Sequence, residues 1–259
     1  FRRSRGLGDV YKRQLLSNDK VSCPIFVEKK DVSESPNLSS HLEIIKNCII
    51  YDSKKYIVLN KPPNFSVHGG SGLNFGVIEL IKKIYKNSDN FKLAHRIDKL
   101  TSGCLVIAKK MSSLREIHKQ FRNKEVKKIY ECIVHGRWPE DLKKIETNIE
   151  IKQVNSERIA QLAITGKESL TKFTYIKHSA LYSHIIAIPI TGRTHQIRLH
   201  CSSAGYPIVG DQKYSIKKFA NPKCRMMLHA REINFFEDGK KVKVVSEDNH
   251  GFGENLEII

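Results

Sequence analysis

No apolar run in this chain approaches the roughly 18 to 20 residues that a membrane-spanning helix needs; the longest, such as Ile185 to Ile190, are strand-sized. The first residues are basic, but no apolar stretch follows them, so no secretory leader is read. Six cysteines (Cys23, Cys48, Cys104, Cys132, Cys201 and Cys224) lie scattered, and no two share a C-x-x-C spacing. A zinc site is therefore not expected, nor any other metal or cofactor. Several of these cysteines fall in apolar stretches, where a free thiol behaves as a small hydrophobe. The reading is a reducing, cytoplasmic setting. Acidic residues are also scarce: 27 Asp and Glu face 45 Lys and Arg, leaving a net charge of +18. Such an excess favours a polyanionic partner, either nucleic acid or an anionic membrane surface. No strongly amphipathic basic helix with Trp or Phe anchors stands out, which weakens the membrane reading.

The 259 residues, 40% of them hydrophobic, suffice for one large core or a large domain with a small appendage. Residues Phe1 to Gln14 hold five basic groups, one acidic group and no periodicity, and are expected to be a non-native leader; without them the net charge is still +14. Leu15 to Ser40 is mixed and ends in the Ser-, Asn- and Pro-containing stretch Ser33 to Ser40, which reads as a linker. The main body is expected from about His41 to the end.

Strand-like runs dominate that body. Tyr56 to Leu59 stops at Lys61-Pro62-Pro63, Cys104 to Ala108 follows Gly103, and Lys128 to Val134 ends at Gly136. Lys172 to Lys177 and Tyr182 to Ile190 read as a hairpin. So do Met226 to Phe236 and Lys241 to Val245, across Asp238-Gly239. Helical periodicity marks Phe75, Ile78, Ile81 and Ile84 after Asn74 as an N-cap, and Leu114, Ile117 and Phe121 after Ser112. It also marks Ile197, Cys201 and Ala204, closed by Gly205 and Pro207. Strands outnumber helices without alternating regularly with them, so the fold class is α+β on a largely antiparallel sheet.

Three polar clusters could carry chemistry. His95 to Gly103 packs an imidazole, a guanidinium, a carboxylate and two hydroxyls between two apolar elements, where catalytic loops sit. Composition alone favours a surface turn in which Asp98 pairs with Arg96 or Lys99, since charged turns are ordinary. Thr191 to His200 gathers donors at a helix start, which suits an anion or is simply a solvated basic end. Lys61 to Gly72 is glycine-rich but has neither a G-x-x-x-x-G-K-[ST] nor a G-x-G-x-x-G pattern, so it reads as a flexible loop. Tyr130, between Lys128 and Arg137, is either a half-buried strand tyrosine or a platform for a base.

Taken in order, Asn60-Lys61-Pro62-Pro63, the stretch from His95 to Lys109, Lys128-Ile129-Tyr130, Gly192 to His200 and Leu228-His229-Ala230 resemble the RluA-type family of RNA pseudouridine synthases. The resemblance spans about Ile49 to Phe236. Ile97 stands where the family usually has Leu, and Cys104 where it has an aliphatic residue. His68 to Glu79 is similar to the RluC branch, which acts on large-subunit ribosomal RNA. Members of that branch carry an N-terminal S4-type RNA-binding domain, of which Asn18 to Ile25 resembles only the last strand. The expected organisation is thus a leader at 1–14, an S4 remnant and linker at 15–40, and a catalytic domain at 41–259.

The resemblance implies the pseudouridine synthase fold, a mixed, mostly antiparallel sheet with flanking helices around a basic cleft. It implies uridine isomerisation in 23S ribosomal RNA or its precursor by base flipping, with no cofactor and with the chain acting as a monomer. A synthase aimed at transfer RNA and a non-catalytic RNA-binding protein are the alternatives. Asp98 is the implied nucleophile or base, Tyr130 stacks on the uracil and helps with the C5 proton, and Arg198 pairs with Asp98 and aims it. Arg96 is implied to fill the vacated space, and Leu228 to line the pocket. His95, Thr101, Arg193, His195, Gln196, Lys61 and His68 are implied to contact substrate or RNA. Arg115, Lys119 and Arg122, on one helix face, are expected to touch phosphates.

Overall fold

The computed structural model describes residues 36–69, 75–154, 157–215, 219 and 224–247. The strands β1 (Ile49–Asp52), β2 (Tyr56–Lys61), β3 (Lys92–Leu93), β4 (Ser102–Ala108), β5 (Lys127–His135) and β6 (Lys144–Val154) come first, followed by β7 (Glu157–Leu162), β8 (Lys167–His178), β9 (Tyr182–Pro189), β10 (Leu228–Glu237) and β11 (Lys240–Val245). They form one sheet in the order β1-β2-β4-β10-β5-β9-β8-β6-β7, with β3 added to β4 and β11 to β10. The β4–β10 pairing is parallel and short, His229 opposite Ser102 and Ala230 opposite Gly103. The long pairings on either side of it are antiparallel. Among the described residues four helices accompany the sheet: α1 (Pro36–Asn47), α2 (Val77–Ile84), α3 (Met111–Arg122) and α4 (Gln196–Ser203). This is the α+β class read from the sequence.

The sheet centre is apolar on both faces. In β4, Cys104, Val106 and Ala108 join one core with Tyr56, Val58, Ile117 and Phe235. The intervening Leu105 and Ile107 join another with Ile57, Leu59, Leu80, Ile81 and Ile45. A strand covered on both sides loses the apolar–polar alternation, which is why β2 and β4 read as unbroken apolar runs. The free thiols of Cys48, Cys104, Cys132 and Cys201 are buried.

Local signals placed most ends correctly. Asp238 and Gly239 both take positive φ, 51° and 75°, as the two-residue turn between β10 and β11 demands. Gly205 ends α4 at φ 88°. Gly103 is required by proximity: at φ 102°, a Cβ there would lie 2.3 Å from the Ala230 carbonyl oxygen. Glycine thus lets the Asp98-loop end of β4 lie against β10.

Several expectations need correction. Pro36 to Ser40 is not linker but the first turn and more of α1, and the boundary placed at His41 falls inside that helix. Its Leu38, Leu42 and Ile45 recur at helical spacing and pack on the second core, while Pro and the polar residues sit at its start, where Pro is tolerated. Helix α2 starts after Gly76, and Glu79 Oε2 accepts from the N–H groups of Gly76 (3.0 Å) and Gly69 (3.1 Å). Asn74, expected as its cap, lies outside the described residues, as do the leader, the S4 remnant and the glycine-rich stretch at 70–73. The β6–β7 hairpin was not read at all. No helix among the described residues is long and apolar enough to cross a membrane.

Candidate active site

The His95–Thr101 loop is tied down at both ends. His95 Nε2 accepts the Val106 N–H at 3.1 Å, so this nitrogen carries no proton, and burial pushes the imidazole pKa down to about 3. The Thr101 N–H donates to the Asp98 carbonyl at 3.1 Å, closing a turn that presents the Asp98 side chain. From below, the fully buried Lys61 ammonium donates to the carbonyls of Pro62 (2.8 Å), Phe65 (2.9 Å) and Lys99 (3.1 Å). Lys61 thus braces the residue next to Asp98 from inside. The expected contact of Lys61 with RNA is not available, because its charged end does not reach solvent.

Burial pushes the Lys61 pKa down to about 7, with Asp98 pulling it upward and Arg225 pressing it further down. Three carbonyl acceptors use all three ammonium protons, so the charged form fits the geometry. We expect Lys61→Met to destabilise the fold by about 2–4 kcal/mol, since buried carbonyls lose their donors. The pH dependence has a definite sign. The folded pKa lies below the ordinary lysine value, so between about pH 7 and the ordinary value near 10.4 the unfolded chain binds more protons. Stability contributed at this site therefore rises with pH across that window, and chemical denaturation of Lys61→Met should lack that rise. An equal rise in both proteins would show that Lys61 does not titrate there.

Asp98 is 21% exposed, and its Oδ2 accepts from Arg198 Nη1 at 3.1 Å. Arg198, on α4, is itself fixed from behind: its Nε and Nη2 fork onto Asp211 at 2.7 and 2.8 Å. Asp211 is buried and also accepts from the backbone N–H groups of Lys213 (3.0 Å) and Tyr214 (3.1 Å). Burial lowers the Arg198 pKa, but the hydrogen bonds to Asp211 outweigh it and raise the balance, so the guanidinium stays charged. The Tyr214 ring lies 5.0 Å from that guanidinium, and its hydroxyl meets His195 Nδ1 at 2.6 Å. His195 caps α4 in the left-handed region, φ 53°, with Nε2 3.7 Å from Asp98. Its pKa is lowered by burial against the pull of Asp98. Asp98 therefore sits on a scaffold of four packed side chains, Arg198, Asp211, Tyr214 and His195, with one oxygen unclaimed among the described residues.

Two cavities meet at this wall. One, about 570 Å³, is lined by Asp98, Thr101, Tyr130, Leu228, Lys128 and the turn leading into α4. The other, about 860 Å³, is lined by His68, Lys99, Gln212 and Lys213, and shares Arg96, Asp98, His195 and Arg198 with the first. Asp98 is the one carboxylate on either lining among the described residues. Arg96, Arg122, Lys124 and Arg193 add cations to the first. Tyr130 is buried, and burial followed by Asp98 raises its pKa, so the phenol is neutral. The pocket is of the size that takes a nucleotide-scale ligand.

The structure thus brings Asp98, Tyr130, Arg198, Arg96, Thr101, His195 and Leu228 together. His95 lines the cavity as a neutral anchor, and Arg193 lines it with its Nε spent on the Glu168 carbonyl at 2.9 Å. Gln196 is a correction. It is buried, and both ends of its amide are used: Oε1 accepts from Thr191 (2.7 Å) and the Arg193 N–H (3.0 Å), while Nε2 donates to Leu170 (3.0 Å) and Thr171 (2.9 Å). It shapes the turn and has no capacity left for RNA. Of the α3 cations, Arg122 reaches the cavity rim, while Arg115 and Lys119 are exposed outside both linings. Sequence reading missed Asp211 and Tyr214; the only signal was Gly210-Asp211 shortly after a helix end.

Known proteins align with this picture. The family model described as RNA pseudouridylate synthase matches residues 55–203, which include the Asp98 loop, Tyr130 and Arg198. The chain is 41% identical over 243 residues to "Ribosomal large subunit pseudouridine synthase C" of Buchnera aphidicola subsp. Baizongia pistaciae, covering 91% of this chain and 76% of that protein. Its Haemophilus influenzae namesake is 41% identical over 230 residues, covering 86% and 71%. Among solved structures, human RNA Pseudouridylate Synthase Domain Containing 1 superposes with a TM-score of 0.64 at 26% identity, covering 77% of this chain and 82% of that one. Human RNA Pseudouridylate Synthase Domain Containing 4 shares the fold, with a TM-score of 0.70 at 20% identity, covering 85% and 96%. With the motifs in order, the carboxylate held over its cavity and a family model matching more than half of its length, this chain belongs to the RNA pseudouridylate synthase family.

Proposed function

We propose that the chain converts specific uridines of large-subunit ribosomal RNA to pseudouridine, with Asp98 as the essential carboxylate. The observation that carries this is the single carboxylate, Asp98, aimed by the Asp211-anchored Arg198 into a cation-lined cavity beside Tyr130. The names of the relatives point to the substrate.

The reaction breaks the N1–C1′ bond, turns the uracil and joins C5 to C1′; the C5 proton is lost to a base or to water, and N1 takes up one proton, so the product is an isomer of the substrate. The uracil is both leaving group and incoming nucleophile, so the electrons balance without an oxidant. One carboxylate suffices, either adding to C1′ or stabilising the positive charge that develops there. A hydrolytic glycosidase would need two carboxylates flanking the bond, and neither lining offers a second among the described residues. The base must leave its stack to reach Asp98, and Arg96, exposed on both linings, is the residue we assign to fill the gap it leaves.

Tyr130 fits a stacking role better than that of a free base, since burial keeps its proton on. Base–aromatic stacking contributes about 1–3 kcal/mol. Tyr130→Ala should therefore lower kcat/KM by about 10- to 100-fold, and Tyr130→Phe by clearly less. A loss in Tyr130→Phe equal to that of the alanine variant would assign the hydroxyl a proton-transfer role instead.

The test is to incubate the chain with unmodified large-subunit ribosomal RNA and with transfer RNA transcripts, then map pseudouridine by carbodiimide-dependent primer-extension stops. Discrete stops in the ribosomal transcript support the reading. Stops confined to transfer RNA would redirect it, and tight binding without stops in either would favour a non-catalytic binding protein.

A further inference from the structure

Lys128 and Tyr130 lie two residues apart on β5, so their side chains leave the same face of the sheet, and both line the cavity that holds Asp98. Among the described residues the Lys128 ammonium has no hydrogen bond and no ion pair; it stands 5.9 Å from the centre of the Phe121 ring. Burial lowers its pKa. Gly192 is also close: a Cβ built there would lie 3.7 Å from the Lys128 Nζ. Gly192 begins the turn into α4, and among the described residues the N–H groups of Thr194 and His195 in that turn make no hydrogen bond. Unspent N–H groups at a helix entry suit an anion.

We propose that Lys128, together with the Gly192–His195 turn facing it, holds a backbone phosphate of the flipped nucleotide, while its base lies against Tyr130 and its ribose faces Asp98. This rests on the RNA-isomerase reading and adds to it a residue and a ligand group. A phosphate is favoured over a uracil carbonyl for two reasons. A partly desolvated ammonium gains more from an anion than from a neutral acceptor. The cavity also carries Arg96, Arg122, Lys124 and Arg193 besides Lys128, so a polyanion is what it collectively attracts. Asp98, the carboxylate on the same lining among the described residues, pairs with Arg198 and not with Lys128. Lys128 is on this view a substrate-binding residue, and its loss should raise KM more than it lowers kcat.

The experiment measures affinity for an unmodified large-subunit ribosomal RNA transcript against salt concentration, using Asp98→Asn so that no turnover intervenes, with and without Lys128→Met or Lys128→Arg. Pseudouridine formation by the parent chain is followed in parallel. Lys128→Met should weaken binding about tenfold near 0.1 M salt and reduce the slope of log K against log salt by about 0.7 to 1, the share of one phosphate contact. Lys128→Arg should restore both. An unchanged slope in Lys128→Met overturns the assignment, and so does a collapse of kcat that Arg fails to rescue while the slope is kept, which would place Lys128 on the base. If the parent forms pseudouridine while the slope is unchanged, the isomerase reading stands and the phosphate site falls. If the slope drops while the parent modifies nothing, the anion site stands and the isomerase reading falls.

Discussion

Asp98→Asn is expected to abolish pseudouridine formation, lowering kcat by on the order of 10³-fold or more, while the protein still folds and still binds RNA. The magnitude follows from chemistry. Removing a single preorganised electrostatic partner of a developing charge typically costs about 10²- to 10³-fold, and a nucleophile's removal costs more. Asparagine keeps the shape and can still accept from Arg198, but it offers C1′ no negative charge and no competent nucleophile. The fold should tolerate the change, because Arg198 keeps both of its bonds to Asp211. Partly exposed pairs of this kind contribute less than about 1 kcal/mol, so the melting temperature should move by no more than about 3 °C. Affinity should hold or rise, because the substitution removes the one carboxylate that the described residues contribute to a cation-lined wall. A non-catalytic binding protein would show that same binding result with nothing to lose in catalysis. The decisive measurement is the amount of pseudouridine per transcript at equal occupancy, and residual activity within tenfold of the parent would dismiss Asp98 as the essential group.

The parts that sequence reading located are those whose cause is local. Unbroken apolar runs at β2 and β4 follow from burial on both faces. Composition alone left the Asp98 loop as an ordinary charged turn; the motif from His95 to Lys109, read with the others in order, singled it out, and Gly103 marked where it turns into β4. The parts it missed have distant causes. Lys61 read as a surface cation; only the folded chain brings the carbonyls of Phe65 and Lys99 to its ammonium. Gln196 read as a free donor, yet β8 and the Thr191 turn consume its amide. The β6–β7 hairpin was half legible: in β6, Ile145, Thr147, Ile149 and Ile151 alternate with Glu146, Asn148, Glu150 and Lys152, but β7 (Glu157–Leu162) shows no such alternation to mark its partner. Helix α1 escaped because its polar, Pro-containing start imitates a linker, and of its four apolar residues the three that pack on the core, Leu38, Leu42 and Ile45, straddle the boundary between that stretch and the main body.

Asp211 belongs to the same class of distant partners, and its replacement should give the second large effect. Asp211→Ala is expected to destabilise the protein by about 3–5 kcal/mol, because it leaves a buried guanidinium without its fork. For a domain of this size that corresponds to a fall in melting temperature of roughly 10 °C. The Lys213 and Tyr214 N–H groups lose their acceptor as well, which loosens the Tyr214 ring under Arg198 and the hydroxyl that holds His195. Arg198 would then swing toward the remaining charge, Asp98, and misplace it; an error of about 1 Å at the reacting group costs about 10²-fold in rate. Stability and positioning separate in the double variant Arg198→Met/Asp211→Leu. Replacing a buried ion pair by apolar groups of similar volume is often neutral or stabilising, so the melting temperature should recover while activity stays low for want of a partner to Asp98. Denaturation curves and single-turnover rates on the same preparations would read both. Recovery of activity together with stability would mean that Asp211 only holds the fold. Full stability in Asp211→Ala alone would mean that Arg198 finds solvent on its own, and the scaffold described for Asp98 would have to be redrawn.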